Sequence, residues 1–108
     1  MAKAGRRYDI YLPLTFNDGR PIPRVHHIRV ERQLLARFAG VTSLRREFPM
    51  RGVWQGESET YVDRVIVMTA LDFRPRGSSR FIADLKRNLL RDFEQLEILI
   101  TELSLRVH

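Results

Sequence analysis

The side chains best suited to chemistry in this chain cluster around one predicted β-hairpin. A tryptophan precedes a turn predicted over residues 55–58, and a glutamate, a tyrosine and an aspartate follow at alternating positions of the next strand. An indole offers a stacking surface, a phenol a polar group, and a carboxylate a general acid or base for a small substrate. The candidate ligand-binding residues are therefore Trp54, Glu59, Tyr61 and Asp63.

Asp63 also has a structural interpretation. Arginines at positions 45, 46, 51 and 64 surround it in the sequence, and a close guanidinium lowers the pKa of an aspartate. A lowered pKa makes a carboxylate a poorer base near neutral pH. We therefore expect Asp63 to be an ionised structural carboxylate held by an arginine, and Trp54 to act mainly in packing. A ligand site at the hairpin is the alternative.

A second candidate is an anion-binding site at the start of a predicted helix. The sequence RGSS at residues 76–79 precedes apolar residues at helical spacing, and Ser78 or Ser79 is predicted to be the N-cap. Backbone N–H groups at a helix N-terminus bind anions, and arginines flank this one. The candidate anion-binding residues are Arg76, Ser78, Ser79 and Arg80.

No residue is predicted to be a catalytic nucleophile or a metal ligand. The chain has no cysteine, and no serine lies in a G-x-S-x-G sequence. His26 and His27 are adjacent, so on a helix they point about 100° apart and do not converge on one metal ion. We predict no metal and no cofactor, and whether the protein is an enzyme stays open.

The elements that position these residues follow a βαββαβ order. Apolar residues alternate in four segments, and they recur every three or four residues in two others. This order predicts an α+β, ferredoxin-like fold, a four-stranded antiparallel sheet with two helices on one face. At 108 residues the chain is expected to form a flexible N-terminus, residues 1–7, and a single domain, residues 8–108. The predicted segments are strands 8–14, 41–56, 59–73 and 96–107 and helices 25–39 and 78–94.

Local breakers predict three details of these elements. Pro13 indicates that the first strand has a free edge or ends there. Gly40 is predicted to end the first helix in a left-handed conformation. Pro49 and Gly52 predict a bulge or bend in the second strand.

The strands are apolar on both faces, which predicts self-association. In the third strand Val65 and Val67 share one face, while Ile66 and Met68 share the other. Two helices cover one face only, and the open face of a monomer is normally polar. We therefore expect a homodimer or a higher symmetric oligomer that forms through the open sheet face. The alternative is that the loop at residues 15–24 folds over this face.

Composition bears on the other partners. The formal net charge is +6, but arginines and acidic residues are interspersed along the chain rather than grouped in one block. Nucleic-acid binding is therefore possible but not favoured. The N-terminus lacks the apolar region of a signal peptide, and no run approaches the roughly 20 apolar residues of a membrane span. We expect no membrane association and a cytoplasmic protein.

The hairpin and the segment before it resemble a pattern in small uncharacterised bacterial proteins with a ferredoxin-like fold. In that pattern a helix ends at glycine, a threonine follows, then Gly-x-Trp, a turn, and an aspartate that opens a long apolar strand. The matching residues here are Gly40, Thr42, Gly52, Trp54 and Asp63, about a third of the chain being covered. The resemblance implies this fold and frequent self-association, and it adds Thr42 to the candidate ligand-binding residues.

Three function classes follow from these observations. The favoured one is a non-catalytic binding or assembly module that self-associates through its sheet. The alternative is a small-molecule-binding protein or small enzyme with a pocket at the Trp54–Asp63 hairpin. A nucleic-acid-binding accessory protein is the weaker alternative.

Overall fold

The sheet and helices have the predicted order. The computed structural model describes residues 2–38, 40–54 and 57–108, without the side chains of residues 44–64. The strands form one antiparallel sheet in the order β2-β3-β1-β4, which confirms the α+β, ferredoxin-like fold. The elements are β1 (Lys3–Pro13), α1 (Arg24–Arg37), β2 (Gly40–Trp54), β3 (Glu57–Asp72), α2 (Ser78–Asp92) and β4 (Ile100–Val107).

The hydrophobic core lies between one face of the sheet, here called the helix face, and the two helices. Leu34 of α1 and Leu85 and Leu89 of α2 are buried in one cluster with alternate residues of β1 and β3. Both helices therefore pack on the same sheet face, as predicted. In the described part of the chain, neither helix is long and apolar enough to cross a membrane. The strand residues of the core include Tyr8, Ile10, Leu12, Ile66, Met68 and Ala70.

The end of α1 differs from the prediction. The helix stops at Arg37, and Phe38 adopts an extended conformation with φ −111° and ψ 153°. Its N–H still donates to the carbonyl of Leu34, while its ring is buried in the core. Gly40 is the first residue of β2 and does not have a positive φ, so the predicted left-handed helix end was wrong. Burial of the Phe38 ring favours its extended conformation, so the helix ends before it.

The second strand was predicted to contain a bulge or a bend, and its pairing with β3 contains no bulge. The backbone of β2 pairs with β3 one residue to one residue without interruption, including Pro49 opposite Val62 and Gly52 opposite Glu59. An extra residue on one strand would have broken this register. The proline is tolerated because β2 lies at the edge of the sheet, where one side of the strand needs no backbone donor.

The first and last strands of the chain also begin at different places than predicted. β1 starts at Lys3, which pairs with Val107, so residues 3–7 of the segment predicted to be flexible lie in a strand. It ends at Pro13, as one of the two predictions for that proline required. β4 starts at Ile100, and Leu96, predicted to belong to the strand, is almost fully exposed before it.

Glu97 links α2 to the start of β4, and its contribution to stability should depend on pH. Its Oε1 atom lies 2.7 Å from Lys86 Nζ and 3.0 Å from the backbone nitrogen of Ile98. The lysine first, and then the backbone N–H, hold the pKa of Glu97 below its ordinary value. A lowered folded-state pKa means that the contribution is present above the unfolded pKa and is lost as pH falls through the folded one.

We expect Glu97→Gln to lower the melting temperature slightly at neutral pH and to leave it unchanged in strong acid. The effect is small because the pair is exposed to solvent and salt. Thermal melts of both proteins across an acid series measure it. Lys86→Met is the matched control, since it removes the larger of the two contacts. A difference in melting temperature that stayed constant down to strong acid would contradict this assignment.

Candidate interaction surface

The face of the sheet away from the helices, here called the open face, is defined by the strand register. Residues directly opposite each other on neighbouring strands share a face. Asp9 lies opposite Thr69 of β3 and Thr101 of β4, and Asp9 and Thr69 alternate with residues of the core. By the same register the open face includes Arg7, Tyr11, Val67, Leu71, Leu103 and Leu105.

The edge strand β4 has its apolar side on the open face. Leu103 and Val107 lie there with exposed fractions of 60% and 42%, and Leu105 between them is half-buried. The helix-facing positions beyond Ile100 are polar and exposed instead, namely Glu102, Ser104 and Arg106. A monomeric sheet shows the opposite arrangement, with apolar residues toward the helices and polar residues toward water. This reversal leaves the apolar side of β4 exposed on the open face.

The apolar surface extends beyond β4. Leu99, just before the strand, is 51% exposed, and its carbonyl accepts the backbone N–H of Tyr11. Val67 lies opposite Tyr11 on β3 and is buried within the single chain, and Val65 is half-buried. The second apolar face predicted for this strand is therefore present at Val65 and Val67.

The centre of the open face carries one hydrogen-bonded polar group. Asp9 is only 7% exposed, and its Oδ1 atom accepts from Thr69 Oγ1 at 2.6 Å and from Arg7 Nε at 3.2 Å. A buried carboxylate is tolerated when it is paired and hydrogen-bonded. Arg7 itself is half-exposed, so this cluster places a polar centre within the apolar surface.

Thr69→Val tests whether this polar centre is structural. The substitution keeps the shape of the side chain but removes the hydroxyl that donates to Asp9. We expect it to lower the free energy of unfolding by about 1 kcal/mol, the usual value of such a hydrogen bond. Chemical denaturation measures this loss. Thr101→Val is the matched control, because Thr101 lies opposite Asp9 on β4 without a hydrogen bond to it; equal losses in both variants would contradict the role of Thr69.

The loop at residues 15–24 does not cover the open face. Ile22 is buried in the core, and the Phe16 ring meets the edge of the His26 ring on α1 at 6.3 Å between centroids. Asn17 Nδ2 donates to the carbonyl of Glu94, just after α2. The loop therefore packs against the helical layer, and the alternative of a loop lid was wrong.

The hairpin candidates divide into one described residue and four whose side chains lie outside the description. Thr42 is exposed on β2, opposite Thr69 on the open face. Trp54 lies twelve positions farther along the same strand, about 40 Å at about 3.3 Å per residue. The register therefore separates Thr42 from Trp54 and does not bring the full set together. The side chains of Trp54, Glu59, Tyr61 and Asp63 lie outside the described residues, and their ligand-binding role stays a prediction.

The candidate anion site at the start of α2 contains a residue that the sequence did not point to. The N-cap is Gly77, with φ 80°, rather than Ser78 or Ser79, and no side chain caps the helix. Arg37 of α1 donates through Nη2 to the carbonyl of Arg76 at 2.7 Å and to Ser78 Oγ at 3.2 Å. Ser78 is thereby buried.

The remaining anion-site candidates, Ser79 and Arg80, are exposed on the first turn of α2. The arginine that completes the cluster comes from the other helix, 41 residues before Ser78, so no local motif indicated it. Anion binding by these residues stays a prediction.

A cavity of about 260 Å³ lies between α1 and the helix face of the sheet. His27 and Glu31, one helical turn apart, lie on its wall with Ser43 of β2. The Nε2 atom of His27 donates to the carbonyl of Pro13 at 2.8 Å, which holds the ring at the end of β1. Within the described residues, no three His, Asp or Glu side chains come together in a group able to hold a metal ion.

No protein-family model and no curated protein matches this chain. Among solved structures, a phage SAM lyase in complex with S-methyl-5'-thioadenosine is similar in fold, with a TM-score of 0.65 at 11% sequence identity. The match covers 95% of this chain and 88% of the lyase chain. At this level of identity the likeness concerns the fold alone.

Proposed function

We propose that this protein is a non-catalytic binding and assembly module that associates with a second copy of itself through the open face. The observation that carries the proposal is the reversed polarity of β4, whose leucines and valine face away from the helices. Covering the exposed half of one such leucine gains about 1 kcal/mol. A second copy brings the same residues a second time, so the gain is doubled in a symmetric interface.

The size of the open face suits a dimer. β1 has 11 residues, about 36 Å at about 3.3 Å per residue, and four strands are about 19 Å wide at about 4.8 Å per strand. The resulting area of roughly 700 Å² is close to the roughly 800 Å² that each partner of a standard interface buries. Packed sheets also lie about 10 Å apart, a distance that leucine and valine side chains fill.

The polar centre favours one orientation of the two copies. A two-fold axis parallel to β1 would set Arg7 against Arg7 of the partner subunit, which is unfavourable for two like charges. A two-fold axis perpendicular to β1, level with Tyr8, sets Arg7 against Asp9 of the partner subunit and the reverse. The second arrangement joins the Arg7–Asp9 ion pair of one copy and that of the other into one network. We therefore propose that the two β1 strands run antiparallel across the interface.

Light scattering over a dilution series tests the assembly. We expect a mass of about twice the 12.8 kDa of one chain at micromolar concentration and a decrease toward one chain on dilution. A stable monomer at the highest concentration would contradict the proposal. Raising the salt concentration should weaken the dimer only modestly, because most of the surface is apolar.

A further inference from the structure

A second cavity, of about 310 Å³, opens at the end of the sheet where α1 stops and β3 leads toward α2. It differs from the open face in that charged groups line it. Three cationic side chains and one carboxylate contribute to its wall together with two phenylalanine rings. The lining residues are Lys3, Ala36, Arg37, Phe38, Asp72, Phe73 and Arg74.

Asp72 presents an acceptor that the fold leaves unused. Asp72 is only 4% exposed, and its Oδ1 atom accepts a hydrogen bond from the backbone N–H of Arg74 at 2.9 Å. The Oδ2 atom is buried and accepts no hydrogen bond from the described residues. Arg6, opposite Asp72 on β1, directs its guanidinium to Glu102 at 3.4 Å and meets Asp72 only through its charge. Buried carboxylate oxygens without a donor are rare in folded proteins, and a ligand hydroxyl would complete this one.

The cations of the cavity supply the complementary part of a binding site. Lys3 Nζ lies 4.9 Å from the centroid of the Phe73 ring, so the ring holds the ammonium near the cavity. Arg37 is held by its bonds to Arg76 and Ser78, which use only its Nη2 atom. A guanidinium has donors on its other nitrogens as well. With Arg74, the wall carries three positive charges against one negative charge, which attracts an anionic group.

We propose that this cavity binds a small phosphorylated polyhydroxyl compound, a sugar phosphate or a nucleotide. Because Asp72 Oδ2 is buried, the side chain turns toward the cavity to accept a ligand hydroxyl, while the phosphate lies among Lys3, Arg37 and Arg74. The cavity volume is at the lower end of the range of small-ligand pockets, which fits a molecule of this size. Lys3 lies opposite Val107 and therefore belongs to the open face as well, but ligand binding to this cavity needs no second copy of the chain.

Isothermal titration with inorganic phosphate, ribose 5-phosphate and AMP tests the proposal. We expect ribose 5-phosphate to bind more tightly than inorganic phosphate, because only the sugar offers a hydroxyl to Asp72. AMP binding more tightly than ribose 5-phosphate identifies a nucleotide site, and equal or weaker AMP binding identifies a sugar-phosphate site. Ribose 5-phosphate binding no more tightly than phosphate, or no binding of any probe at millimolar concentration, would overturn the proposal.

Asp72→Asn separates the two halves of the site. We expect about tenfold weaker binding of ribose 5-phosphate, because a neutral amide is a weaker acceptor, while phosphate binding stays the same or improves. Arg74→Gln should weaken both probes, and Arg32→Gln, an exposed position of α1 outside the cavity, should weaken neither. Equal weakening of both probes by Asp72→Asn would overturn the role of the carboxylate. Thermal melts establish whether each variant is folded. If Asp72→Asn does not fold, the comparison of ribose 5-phosphate with inorganic phosphate on the unaltered protein still tests the proposal.

Discussion

Leu103→Lys is expected to disrupt the proposed dimer without unfolding the protein. Leu103 is 60% exposed on the open face of β4, so a lysine there meets no steric conflict within one copy. In a symmetric dimer the substitution places two charges in an apolar interface. We expect the dimer dissociation constant to rise by about 100-fold or more, measured by sedimentation over a dilution series.

Leu35→Lys is the matched control for this prediction. Leu35 on α1 is 53% exposed, so its replacement changes the same side chain at nearly the same exposure on the helical side of the molecule. The melting temperature of either variant at dilution should stay near that of the parent, because exposed positions tolerate such changes. If Leu35→Lys dissociated the protein and Leu103→Lys did not, the helices rather than the sheet would form the interface.

Gly5→Ala is expected to destabilise the protein strongly, although it adds only one methyl group. A Cβ atom at Gly5 would lie 2.6 Å from the carbonyl oxygen of Asp72 and 2.7 Å from Cδ1 of Phe73. The oxygen belongs to the backbone of the neighbouring strand, so relief requires the two strands to shift. We expect a loss of about 2–3 kcal/mol, toward the upper end of the usual cost of overpacking. The melting temperature should fall by roughly 10 °C or more.

Gly40→Ala provides the comparison for Gly5→Ala. Gly40 is also a strand glycine without a positive φ, and a Cβ atom there would meet only Leu71 Cδ1, at an ordinary 3.9 Å. The two variants therefore add the same atom with and without a steric conflict. Similar unfolding free energies for both would mean that the Phe73 ring and its strand adjust more easily than their packing suggests.

The order of the strands and helices and their core positions could be predicted, because hydrophobic periodicity indicates both. Alternation in the strands and the helical spacing of residues such as Leu85 and Leu89 place core positions correctly, because each element must turn one apolar side inward. The same alternation at Val65 and Val67 also indicated a second apolar face. In β4 the alternation indicated an apolar strand, but it did not indicate that the apolar side faces away from the helices. Only the register of β4 with β1 determines which side faces the helices.

The details that were mispredicted depend on contacts between distant segments. Gly40 was predicted to follow the helix directly, but α1 already ends at Arg37, where the Phe38 ring packs beside Tyr8 at 5.5 Å between centroids. Ser78 looked like a cap, but Arg37 binds its hydroxyl. Asp72 was not a candidate site residue, because a single aspartate at the end of an apolar strand belongs to no recognisable sequence motif. Its unused oxygen becomes visible only in the packed structure.

Methyl NMR spectra recorded over a dilution series test the central claim most directly, because they locate the interface as well as detecting it. We expect the methyl signals of Leu99, Leu103 and Val107 to change together as the proposed dimer dissociates. The signals of Val25 and Leu35, equally exposed on α1, should stay constant and serve as internal controls. Changes confined to the α1 methyl groups, or constant spectra together with a monomer mass at every concentration, would contradict self-association through the open face.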